Sequence, residues 1–172
     1  MRQSVKRLLL LLPIVAVVAV LDQWTKTLVK NAIPVGTSIV PSTFLGDFFQ
    51  ILHWKNTGAA FGIFQNANLI LMILSMLIII VLTWYYFSTK DNNLLIRIGL
   101  SLAIGGAVGN LIDRITQGYV TDFLSFGRFP IFNIGDSAVT VGVGLMVLAL
   151  LLENEHRKQS DKVTPESMDG HA

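Results

Sequence analysis

The sequence predicts an all-α integral membrane protein, four transmembrane helices with a small β-rich non-cytoplasmic loop domain lying on the membrane. Three observations carry this expectation. The chain is 52% apolar and only 14% charged, with a mean hydropathy of +0.61, values outside those of an ordinary soluble domain. Its apolar residues fall into four runs long enough to cross hydrocarbon, which needs about 20 residues of helix. Its Lys and Arg residues sit mainly at the ends of those runs, where they serve topology and anionic lipid; no nucleic-acid partner is expected.

The chain divides into a membrane domain at 1–155 and a polar cytoplasmic tail at 156–172. The first helix is expected at about 7–30: Arg2, Lys6 and Arg7 precede fourteen residues, Leu8 to Leu21, free of polar side chains. This opening mimics a secretory signal peptide. Yet Ala16-Val17-Val18-Ala19 leads into more apolar sequence and then Asp22-Gln23-Trp24-Thr25-Lys26, so an uncleaved helix is expected, with Pro13 as a mild kink. Asp22 and Lys26, four residues apart, form either an intrahelical ion pair or an inward-facing tether for a neighbouring loop. Segment 31–67 is broken by Pro34, Gly36, Pro41, Gly46, Gly58 and Gly62 and places Phe44, Phe48, Phe49, Trp54, Phe61 and Phe64 among polar residues. Short interfacial strands fit it, with Phe48 to Lys55 the richest in β-formers. Asn56-Thr57-Gly58-Ala59-Ala60-Phe61 within it reads, taken alone, as a turn.

A second helix is expected at about 68–88, where Leu69 to Phe87 is nineteen residues without charge and ends in an aromatic belt, Trp84-Tyr85-Tyr86-Phe87. A third, at about 94–114, carries Gly105 and Gly109 as a GxxxG suited to close helix contact. Asn110, Asp113 and Arg114 gather on one of its sides. After a second non-cytoplasmic loop at 115–133, the fourth helix is expected at about 134–153, with a polar tail from Glu153 onward. Four spans with the positive-inside rule place both termini in the cytoplasm. Asp22, Asn56, Asn110, Asp113, Arg114, Asp122, Asn133 and Asp136 then share the opposite face.

Polar groups gathered at one face suit a surface-proximal reaction better than a conduction path, although a small proton-coupled transporter or channel using these carboxylates is the rival reading. The absence of cysteine excludes thiolate chemistry and disulfides. The histidines are His53, His156 and His171, with no G-x-S-x-G and no H-E-x-x-H, which disfavours a serine hydrolase and a zinc site. No metal or cofactor is expected. Paired carboxylates remain: two of them close together in a low-dielectric site share one proton, so that one acts as acid and the other as base. The bland alternative for Asn133 and Asp136 is a helix cap, with Asn133 at the N-cap and Asp136 the acid three residues on.

Five blocks, Asp22-Gln23-Trp24-Thr25-Lys26, Asn56-Thr57-Gly58-Ala59-Ala60-Phe61, Gly109-Asn110-Leu111-Ile112-Asp113-Arg114, Val120-Thr121-Asp122-Phe123 and Phe132-Asn133-Ile134-Gly135-Asp136-Ser137, resemble in order the motifs of the bacterial lipoprotein signal peptidases, the signal peptidase II family. The resemblance implies an aspartic endopeptidase of the bacterial plasma (inner) membrane; the topology puts its polar site near the outer face, and a monomer is expected. Its substrates would be diacylglyceryl-modified prolipoproteins, met in membrane lipid and cut just before the lipidated cysteine. By the same resemblance Asp122 and Asp136 are the catalytic aspartates, and Asp22, Lys26, Asn56, Gly58, Asn110, Asp113, Arg114 and Asn133 support them or bind substrate. Asp113 is assigned to an ion pair or hydrogen bond. Gly135 departs from the family's usual Ala before the last Asp, a loss of one methyl expected to be tolerated. An aromatic loop from Phe44 to Phe64 is expected to close over the scissile bond.

Overall fold

The computed structural model describes residues 2–41, 44, 46–58, 67–89 and 93–163. Its elements in order are α1 (Arg2–Ala32), β1 (Ser38–Ile39), a single 3-10 turn (Gly46–Phe48), β2 (Phe49–Asn56), α2 (Asn68–Ser88), α3 (Leu94–Gln117), β3 (Val120–Phe126) and α4 (Ile134–Val163). All four α-helices are long and apolar enough to cross a membrane, and the three strands form one antiparallel sheet in the order β1-β2-β3. This is the expected fold class, a multi-pass helical membrane protein with a small sheet.

The central helix is α3. Of its most apolar stretch 61% is buried, against 11%, 11% and 22% in α1, α2 and α4, and it packs on all three. Glycines make this possible on two faces. Gly99 and Gly106 lie against Gly142 and Gly135 of α4, so that a Cβ at Gly106 would stand 2.1 Å from the Gly135 carbonyl oxygen and one at Gly99 2.5 Å from that of Gly142. The Gly105 and Gly109 pair faces α1 instead, with Val18 and Asp22 as neighbours. The tightest helix contact therefore lies outside the GxxxG. Gly106→Ala must displace backbone, and is expected to destabilise the folded state by ~3 kcal/mol, the upper end of ordinary overpacking. Gly144, with nothing within 4 Å, is the control: Gly144→Ala should change stability by no more than ~1 kcal/mol. Denaturation of the two variants in detergent checks the contrast.

Helix ends differ from expectation for local reasons. Asn93 caps α3 by accepting from Leu95 N at 3.0 Å, and Gly118 at φ 80° ends it, so α3 reaches Gln117 instead of stopping at Arg114. α1 begins at Arg2 rather than near residue 7, running through its basic residues. α4 does not end at 153 but continues to Val163, because Glu, Lys, Arg and Gln beyond Glu153 are good helix formers without Gly or Pro; residues 156–163 of the expected tail are thus helical, and 164–172 lie outside the described residues. Tyr86 is no part of an aromatic belt. It is fully buried, whereas Trp84 and Tyr85 face outward. Its hydroxyl donates to Arg7 O at 2.8 Å, Arg7 donates to Phe87 O at 2.9 Å, and the Arg97 guanidinium lies 5.3 Å from the ring centroid. The start of α1, the end of α2 and the start of α3 are thereby tied together at the end of the bundle opposite the sheet.

The sheet corrects the expected loop at 115–133. Val120-Thr121-Asp122-Phe123-Leu124-Ser125-Phe126 is a strand, pairing with β2 through Phe49↔Phe126, Trp54↔Asp122 and Asn56↔Val120. Its β-branched Val120 and Thr121 and aromatic Phe123 and Phe126 suit a pleated surface. Val29 and Ile33 near the end of α1 pack with Phe123, Ile51, Leu124 and Ile134, seating the sheet on the helices. His53, also buried, helps: its Nδ1 donates to Ile33 O at 2.8 Å. After β3 the chain doubles back, Phe132 pairing with Leu124 through bonds of 2.8 and 3.1 Å, and this return delivers Asn133 and the start of α4 beside Asp122.

Candidate active site

Where α4 begins, Asn133 Oδ1 accepts from Asp136 N at 2.9 Å, and Asp136 Oδ2 accepts from Asn133 N at 3.2 Å. This is a reciprocal capping box. The box leaves the rest of both side chains engaged. Asn133 Nδ2 donates to Asp122 Oδ1 at 2.6 Å and to Asn110 Oδ1 at 3.1 Å, while Asn110 Nδ2 donates to Asp136 Oδ1 at 2.8 Å. Asn56, at the end of β2, donates to Asp122 Oδ2 at 2.8 Å, and its own Oδ1 accepts from Gly58 N at 3.0 Å, which fixes the amide's orientation. Both oxygens of Asp122 and both of Asp136 thus meet N–H donors. Cap and carboxylate pair coexist.

Behind them lies a buried charge cluster. Lys26 Nζ contacts Asp22 Oδ2 at 2.7 Å and Asp113 Oδ2 at 3.1 Å, and donates to Asn110 Oδ1 at 2.8 Å. All three donors of the ammonium are used. The intrahelical ion pair is present, and the tether runs to a helix rather than to a loop: Asp22 also accepts from Gly135 N, in the first turn of α4, at 2.8 Å through Oδ1. Asp113 belongs to this ion cluster, with Thr121 N donating to its Oδ2 at 3.0 Å. The sequence reading missed Gln23, whose Nε2 donates to Asp113 Oδ1 at 3.1 Å and Gly109 O at 3.0 Å. A carboxamide inside an apolar helix, one residue from Asp22, was its signal. It also missed Thr121, fully buried, for which a threonine in a strand carries no signal. A methyl on Gly135 would meet Gly106 O at 2.9 Å and Asp22 Oδ1 at 3.2 Å, so glycine suits this chain's close approach.

Asp122, Asp136, Asn56, Gly58, Asn110 and Arg114 line one cavity of about 1080 Å³. Among its remaining walls are Trp54, Phe129, Phe132, Val139 and Val141, so an apolar side faces the carboxylates and the Arg114 guanidinium. Lys26, Asp22, Asp113 and Asn133 are not on this wall; they back it. Burial pushes the Asp122 carboxyl up to about 7, the nearby Asp136 charge adds to the rise, and hydrogen bonds from Asn56 and Asn133 and the charge of Lys26 offset it only in part. Two neighbouring carboxyls, one protonated near neutral pH, can supply a general acid and a general base at once. Among the described residues no group of His, Cys, Asp and Glu is arranged to hold a metal ion. Of the expected aromatic loop, Phe44 and Phe48 are exposed, while Phe61 and Phe64 lie outside the described residues.

Known proteins share this arrangement of elements. A solved structure described as a bacterial membrane enzyme, determined by the in meso method, superposes with a TM-score of 0.74 at 34% identity, covering 89% of this chain and 91% of its own. A second, of the same description, superposes with a TM-score of 0.72 at 36% identity and covers 80% of this chain. The lipoprotein signal peptidase of Shouchella clausii is 37% identical over 147 residues, 85% of this chain and 95% of its own length. That of Clostridium tetani is 40% identical over 146 residues, 81% and 92% of the two. A family model described as Signal peptidase (SPase) II matches residues 14–152, a span that begins in α1 and ends in α4 and takes in every polar residue of the site: the chain belongs to the signal peptidase II family.

Proposed function

We propose that this chain is an aspartic endopeptidase that removes the signal peptide from diacylglyceryl-modified prolipoproteins, cutting just before the lipidated cysteine. The observation that carries the reading is the pair Asp122 and Asp136 in the wall of one cavity, joined from behind it through Asn133. Asp136 takes a proton from water as the water attacks the scissile carbonyl, and the protonated Asp122 donates to the carbonyl oxygen. The tetrahedral species collapses as Asp136 passes its proton to the amine of the lipidated cysteine, the C–N bond breaks and a hydroxyl of the tetrahedral carbon returns a proton to Asp122, so the pair is again singly protonated. Arg114 supports the charge that develops there. Substrate enters from the bilayer side, its acyl chains remaining in lipid against the apolar wall. The basic residues of both termini support a cytoplasmic location for them and an outer-face location for the cavity.

The test is cleavage of a diacylated and an unlipidated prolipoprotein by the purified chain, read by mass spectrometry. Cleavage of the diacylated substrate alone, on the amino side of its cysteine, is expected. Solute flux through liposomes with neither substrate cut would overturn the reading in favour of a transporter.

A pH dependence follows from Asp122. Its folded value, about 7, lies above the ordinary 3.8, so the folded state binds the extra proton between these limits and loses it as pH rises through 7. Stability from this group is full below about 3.8 and declines as pH rises to about 7. Activity should follow the same proton. We expect kcat/KM to fall on the alkaline side with a limb near pH 7, and a profile flat to pH 9 would remove Asp122 as the acid.

A further inference from the structure

We propose that Asp22, Lys26 and Asp113 act as a clamp that sets the separation of Asp122 and Asp136 by holding the backbone amide just before each of them. The inference rests on reading Asp122 and Asp136 as the catalytic pair. Gly135, whose N–H is held by Asp22 Oδ1 at 2.8 Å, immediately precedes Asp136. Thr121, whose N–H is held by Asp113 Oδ2 at 3.0 Å, immediately precedes Asp122. Lys26 joins the two carboxylates at 2.7 and 3.1 Å.

The chemistry makes this bridge stiff. The three side chains are 0%, 0% and 1% exposed, so water does not compete for their bonds, and the ammonium has no donor left with which to swap partners. Gln23 fixes the other oxygen of Asp113, and Asp22 is wedged against Gly109, where a Cβ would collide with it. The amides of β3 and α4 are thus tied through α1 and α3, elements that also carry the membrane span. On the other side, among the described residues, only Asn133 links the two carboxylates directly. Asp22, Lys26 and Asp113 are positioning residues in this scheme. They are shut off from solvent and do not line the cavity.

Asp22→Ala and Asp113→Ala test the clamp, because each leaves Lys26 paired with the other carboxylate and strands no charge. With the purified chain and diacylated prolipoprotein, kcat per folded molecule should fall about 100-fold in each, the cost of a small misplacement of reacting groups, with KM within about threefold. The alkaline limb of kcat/KM should move to lower pH as the two carboxyls separate. Asp22→Asn and Asp113→Asn keep an oxygen for each backbone N–H and should recover about tenfold of the lost kcat. Alanine variants with wild-type kcat and pH profile, or asparagine variants no better than alanine, would overturn the clamp. Should an alanine variant not fold, the asparagine variants decide alone: kcat within about tenfold of wild type supports the clamp, and a loss as deep as that of Asp122→Asn overturns it. Asp122→Asn also separates the two readings. If it cleaves normally, the catalytic pair itself is wrong; if it is dead while Asp22→Ala and Asp113→Ala are unaffected, only the clamp falls.

Discussion

Asp122→Asn and Asp136→Asn should each lower kcat for diacylated prolipoprotein by about 10³-fold or more, the range in which a positioned acid or base acts, while the folded protein still binds substrate. An amide has no proton to give at the pH of the reaction and cannot take one from water, so either change leaves half of a two-part proton transfer undone. The structural cost should be small by comparison. Asn at 122 keeps one oxygen for Asn133 or Asn56, and Asn at 136 keeps one for Asn110 or for the cap, so about 1 kcal/mol of hydrogen bonding is at stake in each. This separation matters most for Asp136, because its place in the capping box is a sufficient structural reason for an acid there. If capping were its whole role, Asp136→Asn would shift the melting temperature and leave cleavage of folded protein nearly intact. Single-turnover cleavage alongside thermal unfolding distinguishes the cases, and wild-type turnover in either variant would refute the dyad.

The helices and the gathering of polar residues were legible in the sequence because each rests on local information. An uncharged run such as Leu69 to Phe87 has few alternatives, and the i and i+4 spacing of Asp22 and Lys26 makes them neighbours wherever the helix goes. The strand under Asp122 was harder to see. Val120 to Phe126 is only 7 residues long and becomes a strand by pairing with β2, more than 60 positions earlier in the chain. The same limit hid the second partner of Lys26, since Asp113 comes to it only through the packing of α1 on α3. Glycine was legible as a sign of close approach but not of its direction. GxxxG at 105 and 109 faces α1, and the α3–α4 contact uses Gly99 and Gly106, seven residues apart, opposite Gly142 and Gly135. The polar sequence from Glu153 onward marks the end of a membrane span but not the end of α4, which runs to Val163, because polarity ends a span without ending a helix.

Lys26→Met should be among the most damaging single substitutions in the chain, destabilising the folded state by ~3–5 kcal/mol, the cost of removing one partner from a buried ionic group. Methionine fills much the same space, so the loss is electrostatic. Two carboxylates, 0% and 1% exposed, would face one another with no cation between them, and Asn110 Oδ1 would lose its 2.8 Å donor. The sign reverses when the whole group is neutralised. In Asp22→Asn/Lys26→Met/Asp113→Asn no buried charge remains, the backbone N–H groups of Gly135 and Thr121 still meet oxygen, and most of the lost stability should return, as it does when buried ion networks are replaced together. Resistance to unfolding in detergent, compared across wild type, Lys26→Met and the triple variant, reads this directly. A Lys26→Met protein as stable as wild type would mean that the two carboxylates do not both need the ammonium. A triple variant as unstable as Lys26→Met would mean that packing, not charge, is what Lys26 supplies. Recovery of the fold without full recovery of kcat would separate two roles of the same ammonium: compensating two buried acids, and holding together the supports of the two acids in the cavity.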